Sequence, residues 1–462
     1  MNSTHPPLWQ WAELCQACGI PTRQGPNVAG ISIDSRTTRD GELFIALAGD
    51  PGPRFSSSGS GGRDGHDFVA AALGAGAAGI MVSRDDWPAA PALVVPDTLD
   101  GLWDLGRAAR RRATAARIVG VTGSAGKTTA RQWLGELLPA FGHTHTSTGS
   151  LNNHWGVPLS LARMPAETEL GVFEIGTNHP GEIRPLSTLV APHVSVLLNV
   201  LPAHIGFFES MDALRQEKLS IAAGLQDGGT LVVPFGLNLA GVAPARIRTF
   251  GFDPAADVSG SIEYHGSGSL IRLTLPRGSF EFELNQEGEH RAATCLAVIA
   301  VLEALDLDVE RVLPLFASLS TPAGRGNRIR VGNVRIVDDS YNANPVSVRL
   351  ALEALGREQG RRIAVLGEML ELGGESAMMH AGIARYCQGL DGVVTVGQGY
   401  ADWPQTLGSR YWGHFEQASD INLAWLAGEI GADATVLVKG SNKVFWTTGF
   451  VERLTRALDD GH

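Results

Sequence analysis

The chain has few cysteines, no long apolar run and no positive charge near its start. Its 462 residues include four cysteines, too few for a disulfide framework in a chain of this length. Cys15 and Cys18 form a C-x-x-C pair, but no second pair or histidine cluster follows at zinc spacing. We therefore interpret this pair as core packing within a helix.

No apolar run reaches the roughly 18 residues that a membrane span requires. The first lysine or arginine is Arg23, so the charged start of a signal peptide is missing. The net charge is −11, and the one basic run is "RAARRRATAAR" at 107–117, which we interpret as a helix end. We expect a cytoplasmic protein with no membrane insertion and no nucleic-acid partner.

Three segments alternate strands with helices, which favours an α/β fold with mostly parallel sheets. We place the domain boundaries at 1–114, 115–319 and 320–462. The first, smaller α/β domain contains a Gly/Ser-rich loop at 49–65, and the central one contains "RIVGV", "ELGVFEIG" and "HVSVLLNV". The third contains "NVRIVDD", "RRIAVLG" and "ATVLVKG" and is predicted to be Rossmann-like. A stretch at 271–285 alternates as a β-hairpin does.

The stretch "VGVTGSAGKTTAR" at 119–131 indicates a phosphate-binding loop. The usual pattern G-x-x-x-x-G-K-[ST] would require glycine where Val121 stands, and Gly123 instead gives a shorter G-x-x-G-K-T-T. An apolar strand precedes the loop and a helix follows it, so free N–H groups and the helix dipole would face an anion. Lys127 would add positive charge and the Thr128 hydroxyl a Mg²⁺ ligand. A glycine-rich turn with a chance lysine is the alternative.

Three more polar residues follow predicted elements of the central segment. Glu174 stands near the end of one strand, His204 follows another, and Lys218 lies on a predicted helix. Each alone has an ordinary interpretation, as a capping acid, a hydrogen-bonded histidine and a surface lysine. Together with Thr128 they can hold two Mg²⁺ ions if the lysine is modified, because a protonated lysine has no lone pair.

These motifs resemble the Mur ligase family, the ATP-dependent amide-bond ligases that build the peptidoglycan stem peptide. The resemblance rests on "TGSAGKTT", "EIGTNHPGEI", "AHIGFF" and the spaced Lys218, and the family has the same short glycine loop. Nearly the whole chain is covered. "TGSLNNHWGVPLSL", "DDSYNANPVSV", "LGEMLELG" with His380, and "VKGSN" are similar to the branch that adds D-alanyl-D-alanine to UDP-N-acetylmuramoyl-tripeptide.

The resemblance implies a role for each matching residue. Lys127, Glu174, His204 and Lys218 would be catalytic, with Thr128 and Glu174 binding one Mg²⁺ and His204 and a carbamylated Lys218 a second. The residues implied in ATP binding are Gly123, Ser124, Ala125, Gly126, Lys127, Thr128, Thr129, Thr294, Arg325, Asp339 and Asn342. Those implied in substrate binding are Ser35 and Arg36 at the UDP end, Asn152 and Asn153 at the muramoyl part, and Asn344 at the dipeptide.

The chain departs from the family pattern at several positions. Relatives often have an acidic residue where Gly206 stands and a glutamate where Ser220 stands. They commonly have H-N-x-x-N where this chain has His290, Arg291 and, at the last position, Thr294. We therefore expect the adenine contacts to differ from those of the relatives.

The function that the resemblance implies is ATP-dependent ligation through an acyl phosphate, by a monomer that binds UDP-N-acetylmuramoyl-tripeptide and D-alanyl-D-alanine. The main alternative is a ligase of the same superfamily that adds one amino acid to a UDP-muramoyl peptide, or glutamate to folate. A GTPase would need an [NT]-K-x-D motif, which is missing. A nicotinamide enzyme would need G-x-G-x-x-G, and Asp402 breaks that pattern after "GQG" at 397–399.

Overall fold

The computed structural model describes residues 7–49, 63–87, 90–202, 205–265, 268–286, 288–400 and 403–460. Its strands form three sheets of four, nine and six strands, which follow one another along the chain. Most neighbouring strands are parallel, so the predicted α/β fold with three domains is confirmed. His204, Asp402 and most of the Gly/Ser-rich loop lie outside the described residues. No helix in the described part of the chain combines the length and apolarity needed to cross a bilayer.

The first sheet has four parallel strands in chain order, β1-β2-β3-β4. Its inner face packs on a core that includes Trp9, Leu14 and Cys15, and all four cysteines are free thiols. The elements are α1 Trp11–Ala17, β1 Gly30–Ser32, β2 Glu42–Ile45, α2 Val69–Gly74, β3 Gly79–Val82, β4 Ala92–Val94 and α3 Thr98–Arg112.

The basic run falls at the end of α3, where two of its arginines fasten the first domain to the central one. Arg110 donates hydrogen bonds to the backbone oxygens of Val190 and Ala191, both at 3.0 Å. Arg112 donates to the backbone oxygen of Met164 at 2.9 Å. Guanidinium groups suit this task because their planar donors reach several carbonyls at once.

The central sheet has the order β13-β12-β11-β10-β9-β8-β5-β7-β6. Strands β5 to β11 pair in parallel, and the predicted hairpin is confirmed as the antiparallel pair β12 and β13. The elements are β5 Arg117–Thr122, α4 Lys127–Leu137, β6 Thr144–Thr146, α5 Gly156–Ala162, β7 Leu170–Glu174, α6 Ile183–Val190, β8 Val194–Leu197, α7 Met211–Leu219, β9 Thr230–Pro234, β10 Arg246–Gly251, β11 Val258–His265, β12 Gly268–Leu275, β13 Gly278–Leu284 and α8 Glu289–Ala304.

Helices cover both faces of this sheet, which explains why its strands are continuous apolar runs in the sequence. Successive side chains of a strand point to opposite faces, so Val119 joins one core with Trp133 and Leu296. Ile118 joins the other core with Phe173. The strand ends are thereby held rigidly beneath the loops that follow them.

The third sheet has the order β14-β15-β19-β16-β17-β18, with only β14 antiparallel to its neighbour. Asp339 and Lys439 are register partners at the carboxyl ends of β15 and β19. The elements are β14 Asn327–Val331, β15 Val334–Asp339, α9 Pro345–Gly356, β16 Arg361–Gly367, α10 Ser376–Ile383, β17 Gly392–Val396, α11 Trp403–Leu407, β18 Tyr411–Phe415, α12 Leu423–Ile430, β19 Ala434–Lys439 and α13 Phe450–Asp459.

Candidate active site

The phosphate loop connects the end of β5 to the start of α4. Gly126, at the start of α4, has a φ of +82°, a left-handed conformation that favours glycine. A Cβ at Gly123 would lie 3.0 Å from the Cβ of Leu198, just after β8, so a larger residue would require Leu198 to shift by a few tenths of an ångström. The helix N-terminus therefore opens toward a space that suits an anion, as the sequence predicts.

Lys127 turns back over this loop. Its Nζ donates to the backbone oxygen of Gly123 at 2.8 Å, which holds the amine beside the loop's N–H groups. Burial lowers the pKa of Lys127 from its usual value, and the nearby Glu174 carboxylate acts in the opposite direction. A cation in this position can stabilise charge on a transferred phosphoryl group.

Thr128 and Glu174 are brought together, as predicted. The Thr128 hydroxyl donates to Oε2 of Glu174 at 2.8 Å, and Glu174 is 1% exposed. The contact follows from the parallel pairing of β5 with β7, in which Glu174 lies opposite Val121. Asn152 donates its side-chain amide to the other carboxylate oxygen at 2.7 Å, a contact not foreseen from the sequence.

This pair of oxygen ligands fits Mg²⁺. Thr128 and Asn152 donate to the Glu174 carboxylate as neutral groups, so the buried anion retains capacity to bind a cation. Mg²⁺ typically takes one or two protein oxygens, phosphate oxygens and water. Within the described ranges, no group of three or more His, Cys, Asp or Glu side chains is gathered around one point.

Lys218 lies on α7 and is 2% exposed. Burial, assisted by the positive charge of Lys127, lowers its pKa from 10.5 to about 7. The preceding Glu217 accepts hydrogen bonds from the backbone N–H groups of Gly181 and Ile183, both at 2.8 Å. These bonds fix α7 against the segment that connects β7 to the start of α6.

A cleft of about 780 Å³ separates the central and third domains. The phosphate loop and the start of α8 line one wall, and β15, α9 and β19 line the other. Arg325 spans the gap, donating to the Ser150 hydroxyl at 3.2 Å while its guanidinium lies 4.1 Å from the ring centre of Tyr341. Both domains therefore contribute to a single site.

In the third domain, Asp339 accepts a hydrogen bond from Lys439 Nζ at 2.6 Å. Lys439 also donates to the backbone oxygen of Asn342 at 3.2 Å, so one buried lysine fixes two predicted ATP-binding residues. The motifs assign no role to Lys439, although it lies in "VKGSN". Asn344 lines the same cleft, and its side-chain oxygen caps α9 by accepting from Ser347 N at 2.9 Å.

Arg291 and Thr294, the two residues near the start of α8 that depart from the family pattern, make specific contacts. Arg291 donates to the Thr129 hydroxyl at 2.9 Å and also to the backbone oxygen of Arg325, so it joins the phosphate-loop helix to the third domain. Thr294 donates its hydroxyl to the backbone oxygen of His290 at 2.9 Å. The two Arg291 bonds depend on tertiary packing, and nothing in the local sequence signals them, whereas the Thr294 bond runs one helical turn back within α8.

Three predicted substrate residues lie away from the residues that line this cleft. Arg36 has a side chain that is 86% exposed and pairs with Asp34, whose pKa its guanidinium lowers. Ser35 lies beside it in the loop after β1. Asn153 accepts a hydrogen bond from Gly156 N at 2.9 Å at the start of α5.

Gly206, where relatives often have an acid, is in contact with the third domain. Its N–H donates to the backbone oxygen of Glu371 at 3.3 Å. A Cβ at Gly206 would lie 2.7 Å from the backbone nitrogen of Gly373. Two glycines thus allow a close backbone approach that a side chain would prevent. Ser220, the other departure in the central domain, donates its hydroxyl to the backbone oxygen of Glu217 at 2.6 Å.

Comparisons with known proteins cover almost the entire chain. The profiles for the Mur ligase middle domain and for the Mur ligase glutamate ligase domain match residues 121–302 and 324–442. The UDP-N-acetylmuramoyl-tripeptide–D-alanyl-D-alanine ligase of Escherichia coli is 32% identical, with 95% of each chain covered. The ligase of the same name from Mycobacterium bovis is 31% identical, with 89% of each chain covered.

A solved structure gives the same result. The crystal structure of MurF from Acinetobacter baumannii superposes with a TM-score of 0.83 at 30% identity, covering 97% of this chain and 99% of that one. MurF from Thermotoga maritima in complex with ADP has a TM-score of 0.75 at 27% identity, covering 94% and 97%. With the phosphate loop, the Thr128–Glu174 pair and the interdomain cleft in place, the chain belongs to the Mur ligase family.

Proposed function

We propose that the protein is an ATP-dependent ligase that joins D-alanyl-D-alanine to UDP-N-acetylmuramoyl-tripeptide, forming ADP and phosphate. The observation that carries this proposal is the match, over 95% of both chains, to the Escherichia coli ligase of that name. The arrangement of Lys127, Thr128 and Glu174 at the phosphate loop supports it, because the reaction begins with phosphoryl transfer from ATP.

The chemistry follows from the poor reactivity of a carboxylate. A carboxylate oxygen of the tripeptide attacks the γ-phosphorus, the bond to the ADP oxygen breaks, and an acyl phosphate forms. The dipeptide amine then attacks the acyl carbon, loses a proton, and phosphate leaves with the bonding electron pair. Lys127 and Arg325 would stabilise the charge on the phosphoryl oxygens and orient the reactants within the cleft.

Mur ligases use ATP and Mg²⁺, and the ligand set of this chain fits that requirement. We assign one ion to Thr128 and Glu174, and a second to His204, which lies outside the described residues, and a carbamylated Lys218. Bound Mg²⁺ neutralises charge on the phosphate oxygens. Burial keeps the Lys218 amine neutral often enough for its nitrogen to attack CO₂, lose a proton and present an anionic oxygen.

We assign substrate contacts by domain. In residues 1–114, Ser35 and Arg36 would bind the UDP moiety. In residues 115–319, Asn152 and Asn153 would contact the muramoyl part, and in residues 320–462 Asn344 would meet the dipeptide. The remaining ATP contacts would come from Gly123 to Thr129, Thr294, Arg325, Asp339 and Asn342.

This reaction would be the last cytoplasmic step that builds the stem peptide of the peptidoglycan precursor. Through it the enzyme would serve cell-wall synthesis, cell shape and division. We propose a cytoplasmic location because ATP and the UDP-linked acceptor are found there. A monomer suffices, since one chain supplies both walls of the cleft.

The proposal can be tested with an acceptor whose terminal carboxylate carries ¹⁸O. Incubation with ATP, Mg²⁺ and D-alanyl-D-alanine should give the pentapeptide product and phosphate containing one ¹⁸O atom. The Glu174→Gln variant is the control and should form neither. Product with unlabelled phosphate would contradict the acyl phosphate, and no product from the dipeptide would contradict the function.

A further inference from the structure

We infer that Gln286 recognises the base of the nucleotide, with its side-chain oxygen accepting a hydrogen bond from the 6-amino group of adenine. This residue would select ATP over GTP. The inference rests on the proposed function to the extent that the cleft binds ATP, and it concerns a residue to which the motifs assign no role.

Gln286 lies just after β13 and lines the interdomain cleft, although the residue is only 8% exposed. Its Nε2 donates to the backbone oxygen of Leu319 at 3.2 Å. Its own backbone oxygen accepts from the Ser269 hydroxyl at 2.9 Å. Because the Leu319 carbonyl can only accept, the amide must point its nitrogen toward Leu319, which fixes the position of Oε1.

That oxygen, Oε1, is buried and has no hydrogen-bond partner among the residues that the structure describes. A buried amide oxygen without a donor is unfavourable, and native proteins pair nearly all such groups with protein, water or ligand. Because Gln286 lines the binding cleft, its unpaired acceptor indicates a donor on the ligand.

The position suits the base rather than the phosphates. The phosphates are assigned to the loop from Gly123 to Thr129, so the nucleoside must occupy another part of the same cleft. A Cβ at Gly126 would lie 3.2 Å from the Thr294 hydroxyl, so the start of α8 adjoins the phosphate loop. The wall that begins at this loop continues along α8 to Gln286.

Two neighbouring polar side chains on this wall, those of Arg291 and Thr294, are engaged elsewhere. Arg291 is bonded to the Thr129 hydroxyl and to the backbone oxygen of Arg325, and Thr294 donates its hydroxyl to His290. Asn285 also lines the cleft but is exposed, so water competes for its amide. The Gln286 side chain, by contrast, is already largely removed from water before the base binds.

The chemistry gives a direction of selectivity. Adenine has an amino donor at C6, which pairs with an amide oxygen, whereas guanine has a carbonyl oxygen there. Guanine in the same pose would place its carbonyl oxygen against Oε1 of Gln286, so two acceptors would face each other in a buried site. This repulsion disfavours guanine more strongly than the loss of one hydrogen bond would.

The test measures nucleotide binding by calorimetry with Mg²⁺ and without the other substrates. The probes are ATP, GTP and purine riboside 5′-triphosphate, which lacks the 6-amino group. Wild-type protein should bind ATP about tenfold more tightly than purine riboside triphosphate, the size expected for one buried hydrogen bond. Gln286→Met should bind these two nucleotides equally and should discriminate less against GTP.

The comparison separates base recognition from a structural role. Loss of the bond to Leu319 alone would weaken ATP and purine riboside triphosphate by the same factor, leaving their ratio unchanged. That result would overturn the inference. The inference would also fall if Asn285→Ala, and not Gln286→Met, bound ATP and purine riboside triphosphate equally. Equal binding of the two nucleotides by the wild type would overturn it without any variant, and failure to bind ATP at all would also contradict the proposed function.

Discussion

Lys218 carries an amine that is charged in water, but on α7 it is almost completely buried close to Lys127. Desolvation and like charge both disfavour the ammonium form. A neutral amine is a nucleophile toward CO₂, whereas an ammonium is not. The residue's surroundings therefore support the conversion of a cation into a metal ligand.

Replacement of Lys218 should abolish turnover without unfolding the protein. We expect Lys218→Ala and Lys218→Arg to reduce kcat at least about a hundredfold, the scale for loss of a group that stabilises the transition state. Nucleotide binding should persist because the phosphate loop is intact. The measurement is kcat together with ADP affinity and Tm. Partial rescue of Lys218→Ala by short carboxylates is expected, and near-normal kcat in Lys218→Arg would contradict the carbamate.

The lowered pKa of Lys218 also predicts a pH dependence of stability. The folded protein releases this proton near pH 7 and the unfolded chain near 10.5, so the unfolded state binds more protons between these values. In CO₂-free buffer, the free energy of unfolding should therefore rise with pH across this window, by about 1.4 kcal/mol per pH unit from this group.

Lys218→Met lacks the titrating amine, and the difference between the two proteins isolates the effect of Lys218 from other groups. Denaturant unfolding at several pH values between 7 and 10 measures it. Parallel pH profiles for the wild type and Lys218→Met would show that the amine titrates normally.

Helix α9 begins at a residue that both caps the helix and lines the cleft. Asn344 caps it, and Ser347 completes a capping box, while the same asparagine lines the cleft. We expect Asn344→Ala to lower the free energy of unfolding by about 1 kcal/mol and to raise the KM for D-alanyl-D-alanine.

Asn344→Asp separates the two roles, because aspartate is an equally good cap but cannot donate a hydrogen bond when ionised. It should keep wild-type stability and still raise the KM for the dipeptide. Urea unfolding and steady-state kinetics on both variants provide the check. An unchanged KM in both variants would restrict Asn344 to capping.

The elements that can be predicted from the sequence are those marked by a local motif or by a periodic pattern of apolar residues. The loop between β5 and α4 is marked by its glycines, and the Thr128–Glu174 contact follows from parallel strands ending at one edge. The contacts of Asn152 with Glu174 and of Arg291 with Thr129 join residues that lie 22 and 162 positions apart. They depend on how loops and helices pack within the central domain, which no local pattern records.

At the scale of the whole molecule, polar contacts join the central and third domains beside the cleft. One joins Arg325 to Ser150, and another joins Gly206 to the backbone near Gly373. The residues that we assign to ATP are divided between these domains, so we expect hinge closure when both substrates bind. Closure would exclude water from the acyl phosphate.

Gly206→Ala should hinder this closure, since its Cβ would collide with the backbone of Gly373. We expect a higher KM for D-alanyl-D-alanine and a larger radius of gyration in the presence of a non-hydrolysable ATP analogue and acceptor. Gly374→Ala is the matched control, because a Cβ there meets nothing within 4 Å. Identical scattering and kinetics for both variants would mean that the glycine contact does not limit closure.

The central claim, that this ligase adds a dipeptide, is tested most directly by phosphate release with UDP-N-acetylmuramoyl-tripeptide and a panel of amine acceptors. We predict that turnover requires both the tripeptide nucleotide and an amine. The kcat/KM for D-alanyl-D-alanine should exceed that for D-alanine, L-alanine or glutamate by at least about a hundredfold. A single amino acid lacks the contacts that the second alanine of the dipeptide makes with the protein. A single amino acid used with equal kcat/KM would contradict the account.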